Sequence, residues 1–161
     1  MPRVTIYQNR GFSLIELVTV ILLLGILSAF ALGRFTDSQA IAARGYFDDV
    51  VNAVRFAQKL AISSGCEVRV ISTTSGFQLW QSTTCKTNNF TIAVANPGDR
   101  SKPYANNDIP SGFTLSTNTI TFNARGNLAN GTPDPIVYTL SGGSTSLSFN
   151  VYRETGLVDV P

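Results

Sequence analysis

Gly11-Phe12-Ser13-Leu14-Ile15-Glu16 runs directly into Leu17-Val18-Thr19-Val20-Ile21-Leu22-Leu23-Leu24-Gly25-Ile26-Leu27-Ser28-Ala29-Phe30-Ala31-Leu32. From Phe12 to Leu32 there are 21 residues. As an α-helix they extend about 30 Å, enough to cross a hydrocarbon core. One residue does not fit an ordinary span. A carboxylate at the bilayer centre costs about 2.5–3.5 kcal/mol, against about 0.3–0.6 gained per Leu, Ile, Phe or Val. Glu16 lies near the cytoplasmic edge, which lowers that cost without removing it. An ionisable group in a membrane segment implies a partner for its charge.

The preceding residues offer one. Arg3 and Arg10 make residues 1–11 basic, with no acid among them, so this end stays cytoplasmic and the rest of the chain is exported. Cleavage after Gly11 would leave a new ammonium on Phe12, one helical turn from Glu16. A secretory signal ending at Ala29-Phe30-Ala31 is a poorer reading, because its apolar region would be too long and would contain Glu16. A plain single-span anchor accounts for the length but not for the glycine or the glutamate.

Gly11-Phe12-x-x-x-Glu16 followed by an apolar helix resembles the class III signal of type IV pilins and type II secretion pseudopilins. The resemblance implies that a prepilin peptidase cuts after Gly11 and N-methylates Phe12. It also implies that Glu16 pairs with the N-terminus of a neighbouring subunit during filament assembly.

Composition narrows the function further. Without its leader the chain has 150 residues, and loss of Arg3 and Arg10 leaves ten basic residues against ten acidic ones. One domain is expected, without the electrostatic footprint of a nucleic-acid binder. Histidine is absent, which excludes a Ser-His-acid triad, a Cys-His pair and His-ligated zinc. No catalytic, metal or cofactor site is expected; Asp99 and Asp108 are read as solvated loop acids rather than calcium ligands.

No proline interrupts residues 12–64, and one helix of about 50 residues is expected. Phe47, Val50, Val51, Val54, Ala57, Leu60 and Ala61 recur at three- and four-residue spacing and mark a buried stripe. Gly65 is the expected left-handed stop. Val54 to Ile62 resembles the corresponding segment of minor pseudopilin H and FimT-like minor pilins, which often carry arginine where Gln58 stands. Gly33 occupies a place where many major pilins have proline, and is expected to allow local melting.

Beyond residue 65 the pattern changes to strands and turns. Val68–Ile71 and Phe77–Trp80 form an expected hairpin with Ser75-Gly76 as its loop, which puts Cys66 opposite Cys85. In an oxidising periplasm that proximity favours a disulfide closing about 20 residues, for about 3 kcal/mol on the chain-entropy model. Residues 86–112 are polar and turn-rich, with one strand at 90–94, and read as a variable loop. Further strands are expected at 113–115, 119–122, 136–140, 147–152 and 157–158. Turns are expected at 123–126, 130–131, 141–144 and 153–156. Phe122-x-x-x-Gly126 and Gly156-Leu157-Val158 are similar to the tail of the H-type and FimT-like proteins.

The sequence therefore predicts an α+β pilin-like protein. Residues 1–11 are a cleaved leader, 12–32 a transmembrane assembly helix and 33–161 a periplasmic β-rich head packed on the rest of the long helix. The resemblance implies a non-enzymatic filament subunit of the bacterial inner membrane, single-pass before it enters a pilus or pseudopilus. Its partners would be other pilin or pseudopilin subunits, the prepilin peptidase and the inner-membrane assembly platform. The leading role is a minor pilin that initiates or caps a type IV pilus, the mannose-sensitive haemagglutinin type included. The alternative is the type II secretion pseudopilin H, ahead of a FimT-like DNA binder. Only Arg125 and Arg153 follow residue 112, whereas that DNA-binding branch uses an arginine-rich tail.

Overall fold

The computed structural model describes residues 12–31, 38–85, 89–129 and 133–161. The chain divides into two compact units, Met1–Ser38 and Gln39–Pro161. In the first, α1 spans Leu14–Ala31, and its large apolar side chains from Leu14 to Leu27 are exposed all around the helix. At 18 residues it measures about 27 Å, short of the roughly 30 Å core. Among the described residues no helix is long and apolar enough to cross a membrane. The leader with Gly11, the last residue of the expected span (Leu32), and Gly33 lie outside the described residues, so the join of one long helix does too.

The second unit begins with α2, Ser38–Ser64. Phe47, Val50, Val51, Val54, Ala57 and Ala61 are buried as the spacing predicts, joined by Ala43, Tyr46 and Ala53, while Leu60 packs at the margin. The helix stops at Gly65, whose φ is +68° and whose N–H donates to the Ala61 carbonyl over 3.0 Å. Positive φ ends an α-helix by turning the chain away from its axis.

Among the described residues nine strands follow, arranged in two antiparallel sheets. The first contains β1 (Val68–Thr73), β2 (Gly76–Ser82), β3 (Phe90–Ala93) and β6 (Asn118–Phe122) in the order β3-β2-β1-β6, with β4 (Ala105–Asn106) also paired to β2. The second orders β5 (Thr114–Leu115), β7 (Ile136–Gly142), β8 (Thr145–Val151) and β9 (Val158–Asp159) as β5-β7-β8-β9. Alternate residues point inward, as strand geometry requires. Val68, Val70, Phe77, Leu79, Ile120 and Phe122 of the first sheet join Tyr138, Leu140, Phe149 and Val151 of the second in the core of α2. Phe47 meets Phe149 edge-on at 5.6 Å, and Tyr46 meets Phe77 at 6.2 Å. Each such burial is worth about 1.5–3 kcal/mol, with aromatic pairing adding to it.

The hairpin register differs from the expected one. Thr73 pairs with Gly76 and Val68 with Gln81, so the loop is Thr74-Ser75 and Cys66 is not directly opposite Cys85. Gly76 is the first residue of β2 rather than a loop residue. Its φ is +146°, and a Cβ there would overlap the Asn106 carbonyl and Asn107. The glycine serves a close approach of β4, where the sequence suggested a turn.

A polar knot ties the two sheets together. Ser72 is fully buried; its hydroxyl donates to the Ser116 carbonyl over 2.7 Å and accepts from the Asn118 N–H at 3.0 Å. The Thr139 N–H donates to Ser116 Oγ at 2.9 Å, and Asn118 Nδ2 donates to the Val137 carbonyl at 3.1 Å. Ser116 and Thr117 thus cross from β5 to β6, with the half-buried Ser116 and Asn118 hydrogen-bonded to both sheets.

Candidate functional site

Two regions carry the features singled out in the sequence. At the N-terminal end, α1 starts just after Phe12 and Ser13. The Ser13 carbonyl accepts from the N–H groups of Glu16 and Leu17 at 3.0 and 3.2 Å, and Glu16 occupies the first turn. A carboxylate there faces the positive end of the helix dipole. Phe12, Glu16, Leu17 and Val20 line one shallow groove, so the aromatic residue at the expected new terminus and the acid share a face. Phe12 is 82% exposed. Thr19 and Ser28 donate their hydroxyls to the Glu16 and Leu24 carbonyls, leaving α1 apolar outward. Gly11, the other processing residue, lies outside the described residues.

The second region is the head. Cys66 and Cys85 form a disulfide, with Cα atoms 4.0 Å apart. Cys85 reaches Cys66 through its own φ of +59° rather than through the ladder, which places the Ser82 N–H on the Glu67 carbonyl at 2.9 Å. Behind the disulfide α2 grips the tail. Gln58 Nε2 donates to the Gly126 carbonyl at 3.1 Å and to the Thr155 carbonyl at 2.9 Å, and Arg55 donates to the Val158 carbonyl at 3.3 Å. Gly156 has φ +65°, and a Cβ on it would overlap the Gly126 carbonyl and the Gln58 amide. The two tail motifs noted in the sequence therefore meet at one residue of α2. The sequence marked Gln58 only as a departure from arginine; its role as a clasp needs the fold.

The polar stretch 86–112 is fastened to the head where it is described. Tyr104 is buried; Tyr46 donates its hydroxyl to the Asn106 carbonyl at 3.0 Å; Asn106 Nδ2 donates to Asp49 at 2.8 Å. Burial, with Asp49 close by, pushes both Tyr46 and Tyr104 up to about 12. Asp99 is held below its usual range mainly by hydrogen bonds from the Ser101 hydroxyl and N–H. It is committed to its own turn. Among the described residues no cluster of Cys, Asp and Glu is placed to hold a metal ion. A cleft that sequence reasoning missed lies between α2 and the turn after β3, lined by Asn52, Arg55, Phe56, Lys59, Pro97 and Tyr104.

An apolar helix led by one acid, and a helix-and-sheet head closed by a disulfide, define the type IV pilin-like class of filament subunits. The comparisons make this specific. Residues 47–153 match the family described as Type II transport protein GspH, and the chain belongs to that family, of minor pilins and pseudopilins rather than enzymes. Residues 7–32 match the prokaryotic N-terminal methylation motif. The fold resembles the minor pseudopilin EpsH of the Vibrio cholerae type 2 secretion system, at TM-score 0.56 and 13% identity over 74% of this chain and 95% of that one. It also resembles the type IV minor pilin FimU of Pseudomonas aeruginosa strain PAO1, at TM-score 0.52 and 10% identity over 74% of this chain and 87% of FimU. No curated protein matches the chain.

Proposed function

We propose that this chain is a minor pilin that helps a type IV pilus to start or caps it, anchored before assembly as a single span of the bacterial inner membrane with its head in the periplasm. The observation that carries the assembly role is α1, whose large apolar side chains from Leu14 to Leu27 are exposed all around it. A helix of this kind leaves lipid only by packing against similar helices. After cleavage at Gly11, the Phe12 ammonium and the Glu16 carboxylate compensate each other in that interior. Removing one member of a buried pair costs about 3–5 kcal/mol. Glu16→Ala is therefore expected to be cleaved normally yet to be missing from filaments; normal incorporation would remove Glu16 from the assembly step.

The disulfide placed directly after α2 inclines the reading toward a pilus. The match to the GspH family favours the second reading, a minor pseudopilin of type II secretion. A clean deletion separates them. Loss of sheared surface pili with normal enzyme export supports the minor pilin. Normal pili with enzymes trapped in the periplasm replace it with the pseudopilin.

A further inference from the structure

The cleft between α2 and the turn after β3 has features that neither the core nor the clasp requires. Asn52, Arg55 and Lys59 stand at spacings of three and four on α2, which brings them to one side of the helix, and all three are exposed. With Phe56, Pro97 and Tyr104 they enclose about 380 Å³. Its floor is aromatic: the Phe56 and Tyr104 rings lie 5.5 Å apart, inclined by 56°. Its rim is cationic. Arg55 spends one Nη2 contact on the Val158 carbonyl, and Lys59 has no polar partner among the described residues. Among the described residues no carboxylate lines the cleft; Asp49, on the preceding turn of α2, is already bonded to Asn106.

Elsewhere on α2 a surface cation is matched: Arg44 faces Asp48 at 3.7 Å, four residues along. Two cations left without an acid above an apolar floor are complementary to a chain that brings an acid and an apolar side chain together. The two contacts differ in kind. Rim ion pairs chiefly steer and select, whereas an apolar anchor in a pocket supplies affinity.

We propose that this cleft docks an extended segment of a different filament subunit, one that places an acidic side chain beside an apolar one. The identity of the carrier as a filament subunit rests on the function proposed above; the chemistry of the segment rests on the cleft alone. The segment's carboxylate meets Lys59 and the free edge of Arg55, and its apolar neighbour enters between Phe56 and Pro97.

The test uses the full-length chain in cells that assemble the filament, with the photo-crosslinker p-benzoylphenylalanine at position 52. An adduct is expected with another filament subunit, mapping within a few residues of an Asp or Glu. Lys59→Glu should lower its yield at least fivefold and Lys59→Gln by less, with chain abundance and the Cys66–Cys85 bond unchanged in both. Replacing the mapped acid by lysine should restore the adduct of Lys59→Glu. No adduct, an adduct indifferent to Lys59→Glu, an adduct with a segment lacking an acid, or one with a second copy of this chain would overturn the proposal. An adduct with an acidic segment of a protein outside the filament, from a chain absent from sheared filaments, would instead overturn the filament reading and keep the cleft.

Discussion

The two helices of this chain are built on opposite plans. In α1 every described side chain is exposed, and the apolar ones surround the axis. In α2 the apolar residues form a stripe from Ala43 to Ala61 that is buried in the core with residues of both sheets, while Arg44, Asp48, Arg55 and Lys59 face outward. Both are regular helices, so the difference is not one of propensity. It lies in where the partner is. α2 finds its partner later in the same chain, whereas α1 needs lipid or other helices.

The sharpest way to break that contrast is to remove matched bulk from each helix. Phe47→Ala empties a site packed against Phe149 and should destabilise the head by about 3–5 kcal/mol. Urea unfolding of the full chain in detergent, followed by the fluorescence of Trp80, the single tryptophan, measures it. Replacing Cys66 and Cys85 together by serine tests whether α2 needs the cross-link behind it; a loss of about 3 kcal/mol is expected for a separation of 19 residues. Equal unfolding midpoints with and without reductant would remove the disulfide from the account of stability.

Gly156→Ala bears on the grip of α2 on the tail. It places a Cβ against the Gly126 carbonyl and the Gln58 amide at a positive φ, and should cost about 1–3 kcal/mol in the same assay. An unchanged midpoint would mean the clasp yields freely. Leu22→Ala in α1 should leave the Trp80 transition within about 0.5 kcal/mol of the parent, since Leu22 is exposed and surface changes have effects of that size. A drop as large as that of Phe47→Ala would show that α1 has a partner inside its own chain, and the contrast would collapse.

How much of this was legible in the sequence follows the same division. The stripe of α2 and its stop at Gly65 were legible because a 3.6-residue period and a left-handed cap are local signals. The strands at 90–94, 119–122, 136–140 and 147–152 were legible for the same reason, and the structure extends or trims each by one or two residues at one end or both. The hairpin loop was misplaced by one residue because Gly76 looks like a turn glycine. What requires it is β4, a two-residue strand inside a polar stretch that carries no strand signal of its own. Phe12 and Glu16 stand out in the sequence because a lone acid in an apolar run has no structural excuse, and the structure places both beside one groove of α1. The cleft was not, because Asn52, Arg55 and Lys59 look like an ordinary solvated face until Pro97 and Tyr104 are brought over them from some 40 residues away.

The pairing of β1 with both β2 and β6 also sets a timetable. Its partner on one side is the next strand, but the other side is filled only by Asn118–Phe122, with Ser72 opposite Asn118, 46 residues further on. Until that segment is made, β1 stands as an open edge of the β3-β2-β1 part of the sheet, prone to pair with any strand nearby. The first sheet therefore cannot close until about two thirds of the head has been made. Any factor that meets the chain before then meets an unfinished sheet, and it is Asn118–Phe122 that ends that interval.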